Sequence, residues 1–224
     1  MSEVVKDHVA RDVPPVEYEA DVGYPGAPQS RNAEGGRTVR RLLRACSRDP
    51  LFHAWATSAS LSGCFSQLLA GPAMLVQAHH NCIMTKHPRY GSGTSWHRDI
   101  RYWCFERPDL ISVWLALGTE REENGGLWVV PGSHALEFDR GRFDDALFFR
   151  EDHMPNRALL EERVPIELDA GDVLFFHCRL LHSAGRNHGA ETKYSAVFTY
   201  CDQDNRPIAD TRSASLPLLA LPIR

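Results

Sequence analysis

Trp96-His97-Arg98-Asp99-Ile100-Arg101-Tyr102-Trp103 is the stretch on which the fold turns. It reads as a strand, and on a strand His97 and Asp99, at positions i and i+2, point to the same face. An imidazole and a carboxylate can then converge on one ion. His182, in Leu181-His182-Ser183-Ala184-Gly185, lies 85 residues further on and supplies a second imidazole. It follows Asp169-Ala-Gly-Asp-Val-Leu-Phe-Phe-His177, a turn feeding an apolar strand. Two histidines and one carboxylate on one face of Fe(II) leave the other face open for a co-substrate and O₂. Three ligands and a water also describe catalytic zinc. His177 and the pair His79-His80 compete with His182 for the third position. Neighbours on a strand face opposite ways, so His79 and His80 do not readily serve one site.

Around this stretch the chain is rich in short strand-like runs: 74–78, 81–86, 111–117, 127–130, 164–168, 173–177 and 193–200. Turn signals separate most of them, among them Tyr90-Gly-Ser-Gly93, Glu123-Asn-Gly-Gly126 and Gly185-Arg-Asn-His-Gly189. Many short strands punctuated by turns indicate a sandwich or barrel. Asn124-Gly125 favours a type I′ hairpin turn. Helices are expected before the strands, over 38–46, 51–57 and 58–69. Pro50 suits a first helical position. Residues 1–36, with Pro14-Pro15 and Gly35-Gly36, read as a loosely structured lead-in. The charged stretch 134–162 is long for a loop and reads as a lid or an insertion. Residues 37–224 are expected to form one catalytic domain.

The chain has 224 residues, 43% of them hydrophobic, enough for one sizeable core and little for two. Its net charge is −4 and it has no long basic run, which argues against nucleic acid as a partner. The four arginines of 37–44 sit among apolar residues and read as a solvated helix face. No apolar run reaches membrane-spanning length. The start has no secretory or transit character, and the six cysteines form no CxxC pair, so a cytoplasmic protein with reduced thiols is expected. The Leu/Pro-rich tail 213–224 suits packing on the sheet or on a partner subunit, which allows a homodimer.

Four segments together resemble the phytanoyl-CoA dioxygenase (PhyH) family, which includes the ectoine hydroxylases. They are Trp96–Trp103, Glu123-Asn-Gly-Gly-Leu-Trp-Val-Val-Pro-Gly-Ser-His134, Gly171-Asp-Val-Leu-Phe-Phe-His177 and Leu181-His-Ser-Ala-Gly-Arg-Asn187. The likeness runs from about Leu42 to Asp202. It implies a mainly β protein, a double-stranded β-helix (jelly-roll, cupin-like) core with supporting N-terminal helices. It also implies a dioxygenase that uses Fe(II), 2-oxoglutarate and O₂ to hydroxylate or otherwise oxidise a C–H bond of a small-molecule metabolite. Succinate and CO₂ would be released. By this match His97, Asp99 and His182 hold the metal.

The family places an arginine eleven residues after the distal histidine, on the far carboxylate of 2-oxoglutarate; here that residue is Lys193. Lysine keeps the charge and loses the planar fork. One charge-assisted bond and a hydroxyl, for which Ser183 is a candidate, would then hold the co-substrate. Arg186 is the substitute if its loop folds inward. Lys86 and Trp103 match pocket residues of the ectoine hydroxylases. Arg101 is a candidate for gripping an anionic substrate, and Tyr102 for shaping the substrate pocket. Two alternatives remain: a metal-binding cupin-type enzyme that does not use 2-oxoglutarate, and a catalytically inactive binding or regulatory protein on the same scaffold.

Overall fold

The computed structural model describes residues 1–222. In chain order it holds α1 (Ser2–Ala10), β1 (Val16–Tyr18), β2 (Val39–Leu43), α2 (Ala45–Arg48), α3 (Pro50–Ala56), α4 (Ala59–Leu68) and β3 (Ala73–Lys86). These are followed by β4 (Thr94–His97), β5 (Leu110–Ala116), β6 (Leu127–Val129), α5 (Met154–Leu160), β7 (Val164–Pro165), β8 (Val173–His177), β9 (His182–Ala184), β10 (Lys193–Asp202) and β11 (Leu218–Ala220). A larger sheet runs β1-β2-β3-β10-β5-β8, with β11 also paired to β3, and a smaller one runs β4-β9-β6-β7. Every strand pairing is antiparallel. Two β-sheets with N-terminal helices therefore make up the fold.

The period of two along β10 and β5 divides the interior. Ala196, Phe198 and Tyr200 of β10 and Ile111, Val113 and Leu115 of β5 pack with Phe52, Leu61 and Phe65 of the helices. The alternate residues Val197 and Trp114 pack instead with Leu127 of the smaller sheet and with Phe176. The larger sheet thus carries its helices on one face and turns the other toward β6. Ser112, Ser195 and Lys193 share that inner face. It is polar along one stripe, and the functional side chains stand there.

Local chemistry accounts for the helices. Pro50 opens α3 and the Asp49 carboxylate accepts from Leu51 N at 2.8 Å; Ser58 caps α4 by accepting from Leu61 N. The helix expected over 38–46 is instead β2 followed by the single turn α2. Val39 and Leu42 are buried, β2 pairs with both β1 and β3, and Arg44 at φ +58° breaks the chain direction between the two. Five residues of apolar and basic pattern do not separate helix from strand by period, and pairing decided it. The four-arginine run is not a solvated face either, since Arg40 is buried.

The runs 74–78 and 81–86 form one strand, β3, interrupted where its register on β10 jumps from Asn81↔Phe198 to Val76↔Thr199. Such a bulge re-aims side chains, here His79 and His80. Asn124-Gly125 forms no type I′ turn: Glu122–Asn124 is a 3₁₀ turn, and Gly125 alone takes positive φ, at +78°. A Cβ on Gly125 would stand 2.8 Å from Cδ of Lys86, so this close approach requires glycine. The lead-in 1–36 carries α1 and β1, with Val5, Tyr18 and Glu19 buried. Tail residues Leu218–Ala220 pair with β3, while the last two residues lie outside the described ones.

Candidate metal centre and its anion-facing end

The strand expected over 96–103 ends at His97. Asp99 begins a 3₁₀ turn, Asp99–Tyr102, anchored by Ile100 N donating to Cys178 O at 3.1 Å. The two side chains still converge, with the turn rather than the pleat bringing Asp99 round. His182 lies directly opposite His97 across β4 and β9. One ligand atom from each of His97, Asp99 and His182 lies within 4.8 Å of the others, and all three residues are buried. Nε2 of His97 stands 3.8 Å, and Nε2 of His182 3.5 Å, from Oδ1 of Asp99.

Both imidazoles are oriented from behind. Nδ1 of His97 is 2.8 Å from Ser95 O, and Nδ1 of His182 is 3.0 Å from Leu180 O. A carbonyl accepts only, so each Nδ1 carries the proton and each Nε2 presents a lone pair to the centre. Asp99 is held likewise: its Oδ2 accepts from Ser112 Oγ at 2.7 Å and lies 3.4 Å from Nδ1 of His80, leaving Oδ1 toward the imidazoles. Burial alone would raise the Asp99 carboxyl, but His80, His182 and His97 hold it far below the ordinary carboxylate range. Burial and then His182 push His97 well down. His182 goes the other way, because Asp99 outweighs its burial. Two neutral nitrogens and a carboxylate oxygen are the donor set of a borderline divalent ion, and buried without one they are an unmatched cluster.

The other histidines have different surroundings. His177 lies 3.3 Å from Asp109 and beside His134. His79 stacks on Trp103 and reaches Ser213 Oγ at 2.7 Å; the bulge lets His80 meet the same indole edge-on. Trp103 therefore backs the Asp99 support. Burial pushes His80 down to about 4, which keeps it neutral beside that carboxylate.

Ser112 and Trp114 are two apart on β5, about 7 Å along the strand. Past Trp114 a cavity of about 40 Å³ is lined by Arg40, Lys86, Thr94, Gly125, Ala184 and Lys193, among others. Lys193 and Lys86 are direct partners across β10 and β3. Lys193 Nζ donates to Glu120 Oε2 at 2.8 Å and to Ser195 Oγ at 3.1 Å, while Glu120 Oε1 accepts from Trp114 Nε1 and Ser195 Oγ. Arg40 pairs with the buried Glu19 at 3.1 Å and donates to Ser92 and Thr94. Among the described residues Lys86 has no carboxylate partner: its Nζ donates to Ser92 O at 3.1 Å and Gly185 O at 2.7 Å. Burial, then Arg40 and Lys193, push its ammonium well down. Arg41 also lines the cavity and pairs with Glu17 at 2.9 Å, so four cations face three carboxylates and Lys86 carries the surplus.

Ser183, next to His182, faces away from the centre into an outer groove with Trp96, Trp128 and Arg163. Arg186 is exposed and donates to Arg89 O. Arg101 is half-buried at the mouth, over the rings of Phe148 and the exposed Tyr102. Phe148 meets His97 edge-on at 6.0 Å, and Phe149 N donates to Trp96 O. Sequence reading missed Arg40, Ser112, Trp114, Glu120 and Phe148 as parts of this region, and weighed His80 only as a rival metal ligand.

A two-sheet fold with two imidazoles and a carboxylate gathered on its inner face defines a metal-binding protein of the 2-His-1-carboxylate class. Residues 19–195 match the family described as Phytanoyl-CoA dioxygenase (PhyH), and the chain belongs to it. It is 30% identical over 156 residues to Phytanoyl-CoA dioxygenase 1 of Oryza sativa subsp. japonica, covering 70% of this chain and 54% of that protein. It is 29% identical over 203 residues to L-proline trans-4-hydroxylase of Streptomyces griseoviridis, covering 80% and 73%. The chain spans little more than half the length of the first curated relatives it matches. Among solved structures, the epimerase SnoN in complex with Fe3+, alpha ketoglutarate and nogalamycin RO is similar at 25% identity and TM-score 0.65, over 79% of this chain and 69% of that one. EctD from S. alaskensis shares the fold, at TM-score 0.72 and 18% identity over 92% and 68%. Among the described residues no helix is long and apolar enough to cross a membrane, and all six cysteines are free.

Proposed function

We propose that this protein is a non-haem Fe(II)/2-oxoglutarate-dependent oxygenase acting on a small molecule. Its two sheets are then the halves of a double-stranded β-helix, with 37–224 as the catalytic domain and 134–162 as its cover. One observation carries the reading: two Nε2 lone pairs and one carboxylate oxygen converge from β4, its following turn and β9. His97, Asp99 and His182 would hold Fe(II). With 2-oxoglutarate and O₂ that ion supplies oxidative decarboxylation to succinate and CO₂, coupled to oxidation of a substrate C–H bond. The relatives named for this chemistry support the assignment.

The chain's own residues do the positioning. Ser95 and Leu180 carbonyls fix the imidazole tautomers; the Ser112 hydroxyl fixes the carboxylate rotamer, with His80 3.4 Å behind it. A diacid reaching from the metal past Trp114 would set its far carboxylate beside Lys86, whose ammonium has only neutral partners. Lys193, at the family's arginine position, flanks that carboxylate while paired with Glu120. Phe148, Phe149 and Leu160 of the 134–162 segment pack near or against Trp96 and exclude water from that flank.

The test is turnover. The Fe(II)-loaded protein, given 2-oxoglutarate and O₂, is expected to release succinate, and Asp99→Ala to release none. A protein that retains Fe(II) yet leaves 2-oxoglutarate unconsumed with every small-molecule candidate offered would contradict the reading.

A further inference from the structure

Arg101 lies beside the triad, on the Phe148 ring that meets His97 edge-on, without a counter-charge. Among the described residues no carboxylate pairs with it. Its Nη1 is 3.4 Å from Ala146 O and its Nη2 is 3.2 Å from the Tyr24 hydroxyl, two long contacts to neutral oxygens. Among the described residues its Nε–H has no hydrogen-bond partner either. The guanidinium carbon lies 4.1 Å from the Phe148 ring centroid and 4.8 Å from that of Tyr102. Tyr24 meets Phe148 edge-on at 5.6 Å, and Tyr102 Oη donates to Ala146 O at 2.7 Å. Three separate chain segments (the lead-in, the 3₁₀ turn and the 134–162 segment) thus surround this side chain with rings and neutral oxygens.

Nη1 and Nη2 each spend one N–H on a long contact to a neutral oxygen, which leaves the Nε–H and the second N–H of each Nη for a planar carboxylate, the group a guanidinium binds through two parallel hydrogen bonds. The place is set by Phe148, whose ring touches both the guanidinium and His97. The charge balance agrees. Arg40 is matched by Glu19 and Lys193 by Glu120. A divalent ion and Lys86 together offset Asp99 and the two carboxylates of the co-substrate. Arg101 supplies the charge that remains.

We propose that the substrate is a small molecule bearing a carboxylate, which Arg101 grips at the mouth of the metal site. This rests on the oxygenase reading above. The body of the substrate then lies toward Phe148 and the metal, and the C–H bond attacked is a few bonds from the gripped group. A neutral or cationic substrate would leave Arg101 unmatched in a half-desolvated setting, at a cost.

The experiment uses a panel of small carboxylic acids, each paired with the amide of the same skeleton. Binding is followed by ligand-observed NMR on the full protein loaded with Zn(II) and 2-oxoglutarate, with metal content and 2-oxoglutarate binding measured on the same samples. At least one acid is expected to bind about tenfold or more tighter than its amide, as a charge-assisted bond to Arg allows. Arg101→Gln is expected to abolish that preference and keep the metal, the 2-oxoglutarate and the melting temperature. Arg101→Lys is expected to retain part of it. A panel in which no acid outbinds its amide, or a preference that survives Arg101→Gln, overturns the proposal. Failure to bind 2-oxoglutarate while the acid preference persists counts against the oxygenase reading instead and leaves the Arg101 grip standing.

Discussion

The two ends of the inner cleft solve opposite problems. At the metal end, the ligand atoms are left without partners toward the centre while every other polar atom of His97, His182 and Asp99 is held. At the far end, the charges are almost all matched within the protein, by Glu17, Glu19 and Glu120, and a single ammonium, Lys86, is left over. Unmatched lone pairs define a cation site; an unmatched cation defines an anion site. Most of the buried charge at the far end is paired within the protein, Lys193 at the family's arginine position included.

Substitutions at the two ends should therefore separate cleanly. Asp99→Ala or His182→Ala removes a ligand and is expected to weaken Fe(II) binding more than about 100-fold, beyond what loss of an outer partner does; anaerobic metal titration measures it. Lys193→Met strands Glu120 as a buried, unpaired carboxylate and should destabilise the fold by about 3–5 kcal/mol in denaturant unfolding. Lys86→Met strands no carboxylate. It should leave stability unchanged or raise it, while 2-oxoglutarate affinity falls by on the order of 10–100-fold. Equal stability losses at both lysines would break the distinction between matched and surplus charge.

Smaller effects sharpen it. Ser112→Ala frees Asp99 Oδ2 and should lower metal affinity about tenfold, within the range for an outer-shell partner. The two ends should also respond to pH with opposite signs. Asp99 raises His182, so as pH drops through that raised value a proton takes the Nε2 lone pair and metal affinity falls, by about tenfold per unit. Lys86 is pushed down by burial, and a bound carboxylate favours its charged form. Co-substrate affinity should thus fall as pH rises through the lowered Lys86 value. Calorimetry at several pH values reads both slopes.

The metal end was legible because its ligands sit in two short motifs and their chemistry is narrow: imidazoles and a carboxylate near one another have few other uses. Even there the geometry differed, since a 3₁₀ turn and not a pleat delivers Asp99. The far end was largely illegible. Arg40 lies in a segment whose pattern fits helix and strand alike, and its burial follows from β2 pairing on both sides. His80 reaches Asp99 only through a bulge in β3, and a bulge leaves no mark in apolar periodicity. Glu120 follows a strand in a polar turn, where nothing distinguishes a buried counter-ion from a surface acid. Long-range pairing, not local pattern, sets these partners.

The central claim is that one ion, held by His97, Asp99 and His182, is chelated by a diacid whose far carboxylate meets Lys86. Anaerobic titration of the Fe(II)-loaded protein with 2-oxoglutarate tests it directly, by the visible charge-transfer absorption that such chelation produces. Saturable absorption in the wild type, its absence in Asp99→Ala and a much weaker affinity in Lys86→Met are the predicted results. Fe(II) bound by the wild type with no absorption at any 2-oxoglutarate concentration would contradict the account.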